Sequence, residues 1–166
     1  MTALYHGSYT AVESPRANAG RCNLDFGCGF YVTNLQQQAE KWAIIVGSRH
    51  NDDDWGIVSE YEFDETAFAK YNVLRFPTYD IQWLDFVVAN RHGEDAAKGY
   101  DAVEGGVAND QVIDTVEDYE NGRITAEQAL DQLRFKKPNH QLCIRNQEIL
   151  DRHLHFRRSY TLKDED

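Results

Sequence analysis

The stretch FGCGFYVTNLQQQAEKWA, residues 26–43, decides the fold of this chain. Its glycines are followed by aromatic and β-branched residues, a composition that predicts a short strand over residues 29–33. A helix is predicted next, because apolar residues recur one helical turn apart, at Ala39, Trp42, Ala43 and Val46. A strand followed at once by a helix indicates a domain that mixes both kinds of structure.

Short strands and helices alternate in the rest of the sequence as well. Further strands are predicted at residues 2–9, 57–63, 72–76, 141–145 and 157–162, with 57–63 and 72–76 as partners. Further helices are predicted to begin after Pro77-Thr78, Asn109, Thr125 and Asn146. Capping boxes are predicted at Thr33/Gln36 and Thr125/Gln128, and Gly47 is predicted to end the first helix. Because no regular βαβ order is visible, we predict an α+β fold in a single domain spanning residues 1–166.

Charge excludes some classes of function. The 166 residues include 17 basic and 28 acidic side chains, a net charge of −11 that is unsuited to gripping nucleic acid phosphates or an anionic membrane. The excess is uneven, because residues 1–50 hold four basic and three acidic side chains whereas residues 101–131 hold one and nine. The N-terminal part can therefore accept a small anionic ligand. The acidic segment either forms a solvated face or steers a basic partner.

The cysteines and the apolar residues indicate the cellular compartment in which the protein is expected. Cys22, Cys28 and Cys143 are an odd number without motif spacing, and free thiols in a reducing cytoplasm are the simplest interpretation. No apolar stretch approaches about 20 residues, and no signal peptide pattern opens the chain. We therefore expect a cytoplasmic protein with no membrane partner. No HExxH, paired CxxC or phosphate-binding loop occurs, and no metal site is predicted.

Two segments are candidate ligand sites. His6-Gly7-Ser8 closes the first strand, where the glycine admits a ligand close to the backbone and the histidine can hydrogen-bond a sugar hydroxyl. A simple turn explains the same residues. Tyr31 and Trp42 lie eleven residues apart, one on a strand and one on the next helix, and they either frame a flat ring or pack in the core.

Together these segments resemble the ADP-ribosyltransferase superfamily, in the branch of diphtheria toxin and the poly-ADP-ribose polymerases. The resemblance rests on LYHGS followed by FGCGFYVTNLQQQAEKWA. The whole chain also looks like an uncharacterised bacterial domain family of that superfamily, through a GPVAD-like segment at Gly106–Asp110 and a strand opening at Gln141. Two positions depart from the pattern, and the first is Ala39, where a serine is expected eight residues after the strand tyrosine.

The resemblance implies an ADP-ribosyltransferase-like split β-sheet sandwich with flanking helices and NAD bound in its cleft. It implies that His6 hydrogen-bonds a hydroxyl of the adenosine ribose and that Ser8 helps to orient that end. It further implies that the Gly7 backbone clamps the nicotinamide amide. Tyr31 and Trp42 would then sandwich the nicotinamide ring.

The resemblance makes His6, Tyr31 and Gln141 the catalytic residues, with one consequential departure at Gln141. The family has a glutamate there, and a carboxylate stabilises the positive charge that develops on the ribose as nicotinamide leaves. A neutral glutamine keeps a hydrogen bond without the charge. Asp110 and Glu148 are candidate carboxylates from elsewhere, although Asp110 equally suits the first turn of a helix.

Three functions follow as expectations. The first is a mono-ADP-ribosyltransferase that moves ADP-ribose from NAD to an unknown macromolecular acceptor, protein or nucleic acid. The resemblance further implies a bacterial toxin held by a neighbouring antitoxin or immunity protein. The second is an NAD glycohydrolase, in which water is the acceptor. The third is a non-catalytic module that binds NAD or ADP-ribose, and the glutamine at position 141 favours it.

Overall fold

Seven strands form two sheets in the part of the chain that the structure describes. The computed structural model describes residues 1–51, 55–108 and 112–163. The strands are β1 Thr2–Ser8, β2 Phe30–Val32, β3 Trp55–Phe63, β4 Val73–Phe76, β5 Ala102–Gly105, β6 Gln141–Ile144 and β7 Leu154–Lys163. The helices are α1 Gln36–Asn51, α2 Ile81–Arg91, α3 Ile113–Glu120, α4 Ala126–Leu133 and α5 Gln147–His153, with a 3₁₀ turn at Glu65–Lys70. The predicted α+β class is confirmed, and the single domain stays a prediction.

The two sheets meet along β1 and β2. One sheet has the order β1-β3-β7 and the other has the order β2-β6-β5-β4. All neighbours are antiparallel except β4 and β5, which are parallel. A single bridge between Tyr5 and Thr33 joins the sheets, with N–O distances of 2.8 and 2.9 Å. The N-terminal strand and the strand of the opening motif are therefore direct neighbours.

The predicted pairing of 57–63 with 72–76 is wrong. Strand β3 pairs with β1 and β7, whereas β4 pairs with β5 in the other sheet. The physical reason is the α2 crossover, which returns the chain to a parallel neighbour as βαβ units do. Strand β5 has no counterpart among the predicted strands, because Val103 is the one residue of AVEG with a strong preference for strands.

The structure confirms two of the predicted helix starts and contradicts a third. The capping box at Thr125/Gln128 is confirmed, and so is the cap at Asn146, whose side chain accepts from Glu148 N. The box at Thr33/Gln36 is wrong, since the Thr33 hydroxyl accepts from Leu35 N. The predicted cap at Asn109 lies outside the described residues.

The prediction that Gly47 ends the first helix is wrong, because Gly47 lies inside α1. A Cβ added there would come within 1.7 Å of the Trp55 carbonyl oxygen, so the glycine serves close packing against β3. Ala39, Ala43 and Val58 form a small buried cluster between the helix and that sheet. Helix α1 is thus held backbone to backbone on the sheet that carries His6.

Buried side chains lie on both faces of the β2 sheet. One cluster fills the space between the two sheets and includes Leu4, Val32, Tyr61 and Leu142. The other packs under α2, α3 and α4 and surrounds Trp83. Because side chains alternate along β2, Phe30 and Val32 belong to the first cluster and Tyr31 packs against the second. No helix in the described residues is long and apolar enough to cross a bilayer.

The loop before β2 contains a disulfide between Cys22 and Cys28, six positions apart. The prediction of free thiols is therefore wrong for these two cysteines, because an odd count says nothing about which members pair. Cys143 is free and buried, and its burial raises the pKa of the thiol to about 12. The disulfide closes a loop directly before Tyr31.

Removing this disulfide is expected to lower the free energy of unfolding by about 2 kcal/mol, since it closes a short loop in the unfolded chain. Urea denaturation of wild type with and without a reductant measures the loss. The variant C22A/C28A should match reduced wild type and should not respond to the reductant. Three reactive thiols in unfolded, unreduced wild type would contradict the pairing.

Candidate functional site

His6 lies on β1 at the junction of the two sheets. Its ring stacks on Phe30 of β2 with the centroids 4.4 Å apart, and its Nδ1 is 2.6 Å from the Tyr31 carbonyl oxygen. Because a carbonyl oxygen only accepts, Nδ1 carries the proton. Burial lowers the pKa of His6. A neutral ring in this tautomer presents Nε2 as a hydrogen-bond acceptor.

Gly7 and Ser8 complete β1, opposite Val58 and Ile57 of β3. A Cβ at Gly7 would come within 2.3 Å of the Ala39 carbonyl oxygen and 2.7 Å of Ala43 N, so only glycine allows α1 to pack here. Ser8 is half-buried. The glycine of the motif is thus packed directly against the helix that carries Trp42.

Tyr31 is fixed at its hydroxyl by the loop before β2. The hydroxyl accepts from Phe26 N at 3.1 Å and donates to the Gly27 carbonyl at 2.6 Å. Burial raises the pKa of this phenol well above its ordinary range. The ring therefore has a set position, and its hydroxyl is already occupied by the protein backbone.

Trp42 is exposed, with 47% of its surface accessible, although its spacing also fits core packing. Its indole lies under the Arg49 guanidinium, 5.7 Å from the ring centroid. The buried tryptophan of the chain is Trp83, which donates to the Gly106 carbonyl. Trp42 is thus available to a ligand, and no described contact joins it to Tyr31.

Gln141 opens β6, the strand beside β2. Its Oε1 accepts a hydrogen bond of 3.0 Å from Gln38 Nε2 on α1. Gln38 also bonds the backbone of His140 on both sides, with Nε2 to the carbonyl at 2.7 Å and Oε1 from the amide at 3.3 Å. Gln141 is therefore hydrogen-bonded to the helix that carries Trp42, at a residue one turn before that tryptophan.

His140 and Glu104 form a polar pair beside Gln141. His140 Nδ1 accepts from Asn34 N at 3.0 Å, so its proton lies on Nε2, which donates to Glu104 at 2.8 Å. Glu104 also meets Arg75 at 3.4 Å. Sequence patterns missed Gln38, His140 and Glu104, because no motif spacing connects them. The pairing of Gly105 with Gln141 is what places Glu104 here.

Of the two candidate carboxylates named from the sequence, Glu148 does not reach Gln141. Glu148 accepts from the Tyr71 hydroxyl at 2.7 Å and lies 3.9 Å from Arg152 on α5. Asp110 lies outside the described residues. Of the described carboxylates, Glu104 is the one whose hydrogen-bond partner, His140, is the residue next to Gln141.

Surface depressions lie near the disulfide loop. One, of about 150 Å³, is lined in part by Cys22, Gly27 and Asn90. Another, of about 390 Å³, is shallower and is lined by Arg21, Cys22 and Asn23. Neither is lined by His6 or Trp42.

Glu104 makes stability depend on pH. The hydrogen bond from His140, together with the charge of Arg75, lowers the pKa of Glu104 below its ordinary value of 4.5. A carboxyl group with a lowered pKa in the folded state stabilises the fold above its unfolded pKa. This contribution disappears as the pH falls through the folded pKa.

Glu104→Gln is accordingly expected to lower the urea midpoint at neutral pH, with a difference from wild type that shrinks below pH 4.5. Urea titrations across this range measure it. Glu127→Gln, at an exposed glutamate of α4, serves as the control. A constant difference at all pH values would contradict the ionic role of Glu104.

Fold and site define a mixed α+β protein with two sheets and a polar site where β1, β2 and α1 meet. The chain matches the sequence profile of the family described as "Protein of unknown function (DUF3990)" over residues 2–156, and it belongs to that family. No curated protein and no solved structure matches the chain.

Proposed function

We propose that this protein is an NAD-dependent mono-ADP-ribosyltransferase. The observation that carries the proposal is the contact between His6 of β1 and Tyr31 of β2, 2.6 Å apart where the two sheets meet. Gln141 opens the strand next to β2. The three positions that the family resemblance singles out, far apart in sequence, therefore lie on neighbouring strands.

Each residue has a chemical part in the proposal. His6 Nε2 accepts a hydrogen bond from a hydroxyl of the adenosine ribose. The backbone of Gly7, at the end of β1, holds the carboxamide of nicotinamide. Tyr31 and the exposed Trp42 lie against the two faces of the nicotinamide ring. The near-neutral charge of residues 1–50 tolerates the diphosphate.

The reaction breaks the bond between ribose C1 and the nicotinamide nitrogen. The bonding electron pair leaves with nicotinamide, which cancels its positive charge and leaves the sugar with oxocarbenium character. A nucleophile of the acceptor then bonds to C1 and releases a proton. A neutral amide at Gln141 supports the charged sugar less than a carboxylate does, so we propose a slow enzyme.

The partner is proposed to be a macromolecular acceptor, and the protein to act as a toxin restrained by an antitoxin or immunity protein. Helices α3 and α4 carry most of the acidic segment at residues 101–131. Such a surface favours encounters with a basic protein. The acceptor is proposed to be a protein or a nucleic acid.

A second candidate is a module that binds NAD or ADP-ribose without breaking it. The hydrogen bond from Gln38 to Gln141 favours this alternative, because it holds a neutral side chain at the position of the expected acid. Hydrolysis is the third, with water in place of the macromolecular acceptor.

Calorimetry with NAD tests all of these proposals. Wild type is expected to bind, and His6→Ala is expected to bind at least about tenfold more weakly, since it loses a buried hydrogen bond. His155→Ala, at an exposed histidine of β7, is the matched control. Trp42→Ala removes a half-exposed ring, so it should weaken binding without unfolding the protein.

NAD labelled in its adenylate part then separates the three functions. Label on a macromolecule indicates transfer, and free ADP-ribose in amounts equal to nicotinamide indicates hydrolysis. Binding with intact NAD after hours indicates the module. Wild type that does not bind NAD would overturn the assignment of the site.

A further inference from the structure

We propose that Gln38 is a positioning residue that decides which end of the Gln141 amide meets a ligand. In this arrangement position 141 offers a hydrogen-bond donor, suited to an acceptor oxygen on the bound molecule. The inference rests on the proposed function for the identity of that molecule, NAD. The orientation itself follows from the protein's own hydrogen bonds.

The backbone of His140 fixes the orientation of Gln38. A carbonyl oxygen only accepts and a backbone N–H only donates, whereas a glutamine does both. Gln38 Nε2 faces the His140 carbonyl at 2.7 Å, and Gln38 Oε1 faces the His140 amide at 3.3 Å. The opposite assignment of the Gln38 amide would place like against like at both contacts.

Gln38 in turn fixes the orientation of Gln141. Its Nε2 still has a second proton after the bond to His140, and that proton meets Gln141 Oε1 at 3.0 Å. The oxygen of Gln141 is thus occupied by the protein. Its NH₂ group donates to no described residue, and it is not among the buried polar atoms without a partner.

The segment around Gln141 is anchored from the other side as well. The His140 ring accepts from Asn34 N and donates to Glu104, so residue 140 is tied to the chain before α1 and to β5. Gln38 therefore bonds to a backbone that is held in place. A change at Gln38 should alter the amide of Gln141 more than it alters the strand.

The chemical consequence concerns charge and direction. A glutamate at this position would accept a hydrogen bond from a ribose hydroxyl and support positive charge on the sugar. The NH₂ group of Gln141 instead donates to the hydroxyl oxygen, which withdraws electron density from the sugar. Gln38 thus favours holding the dinucleotide over breaking it.

The test compares Gln38→Glu with Gln38→Ala. The new carboxylate only accepts, so it keeps the bond from the His140 amide and loses the bond to the His140 carbonyl. It should attract the NH₂ group of Gln141 and turn the amide oxygen toward the ligand. Gln38→Glu is expected to raise kcat for nicotinamide release about tenfold with little change in KM, the value of one hydrogen bond. Gln38→Ala should weaken NAD binding severalfold and leave kcat no higher.

A second substitution separates the effect on Gln141 from a direct effect of the new charge. In a Gln141→Ala background, Gln38→Glu is expected to have no effect on kcat, as in a double-mutant cycle. An equal rise in that background, or kcat unchanged by Gln38→Glu in protein that binds NAD, would overturn the positioning role.

A readout without NAD keeps this test independent of the proposed function. The side-chain NH₂ signals of Gln141 in a ¹⁵N spectrum are assigned by their loss in Gln141→Ala. They should exchange freely with water in wild type and become protected in Gln38→Glu. Protected signals in wild type would overturn the inference even if NAD binds. Free exchange with no NAD binding would uphold the orientation and reject the function.

Discussion

Gly56→Ala is expected to destabilise the protein by about 3 kcal/mol or more, the upper range for forcing extra volume into a packed core. A Cβ at Gly56 would lie 2.1 Å from the Ala43 carbonyl oxygen and 2.8 Å from Ile44 N, both backbone atoms of α1. The helix cannot simply move away. It is packed as tightly at two more points, because a Cβ at Gly47 would lie 1.7 Å from the Trp55 carbonyl oxygen and one at Gly7 would lie 2.3 Å from the Ala39 carbonyl oxygen.

Urea denaturation measures this effect, with Gly20→Ala as the matched control. The nearest atom to a Cβ at Gly20 is 3.9 Å away, so its free energy of unfolding should change by no more than about 0.5 kcal/mol. Equal midpoints for the two variants would contradict the close packing of α1 on β3. They would also remove the basis for placing Gln38 and Trp42 beside the β1 motif.

The elements of the fold were easier to predict than their pairing. Strands at β1, β2 and β6 and the helix bearing Trp42 follow from local patterns, because hydrophobic periodicity and capping are properties of neighbouring residues. The partner of β3 depends on where the chain returns after α2. That path is a property of the whole topology. The closeness of β4 to β3 in sequence therefore does not identify the partner of β3.

The site shows the same division between local and distant information. His6-Gly7 and Tyr31 belong to short motifs, and the structure brings them to one junction. Gln38 hydrogen-bonds to Gln141, 103 positions further along the chain, and Glu104 hydrogen-bonds to His140, which precedes the neighbouring strand β6. No spacing in the sequence records such contacts. The disulfide at Cys22 was missed because spacing alone cannot pair an odd set of cysteines.

Gln141→Glu is expected to have the largest effect on activity, a rise in the rate of nicotinamide release of roughly 10²–10³, the range lost when one charge-stabilising group is removed from an active site. Gln38 Nε2 can still donate to one oxygen of the new carboxylate. The other oxygen is then free to accept from the ribose hydroxyl and to support the charge that develops as the bond to nicotinamide breaks.

Chromatographic measurement of nicotinamide released from NAD, over a range of NAD concentrations, gives kcat and KM separately. The rise should appear in kcat, because the added charge acts on the transition state more than on bound NAD. Gln37→Glu adds the same charge to the exposed neighbouring position of α1 and should leave kcat unchanged.

The result also decides between the two leading functions. If Gln141→Glu releases nicotinamide rapidly while wild type binds NAD without turnover, the natural protein is a binding module built on a catalytic frame. If both turn over and differ by the expected factor, wild type is a slow transferase. If the variant binds NAD as tightly as wild type and releases nicotinamide no faster, the bond to nicotinamide does not lie near position 141. The proposed placement of NAD is then wrong.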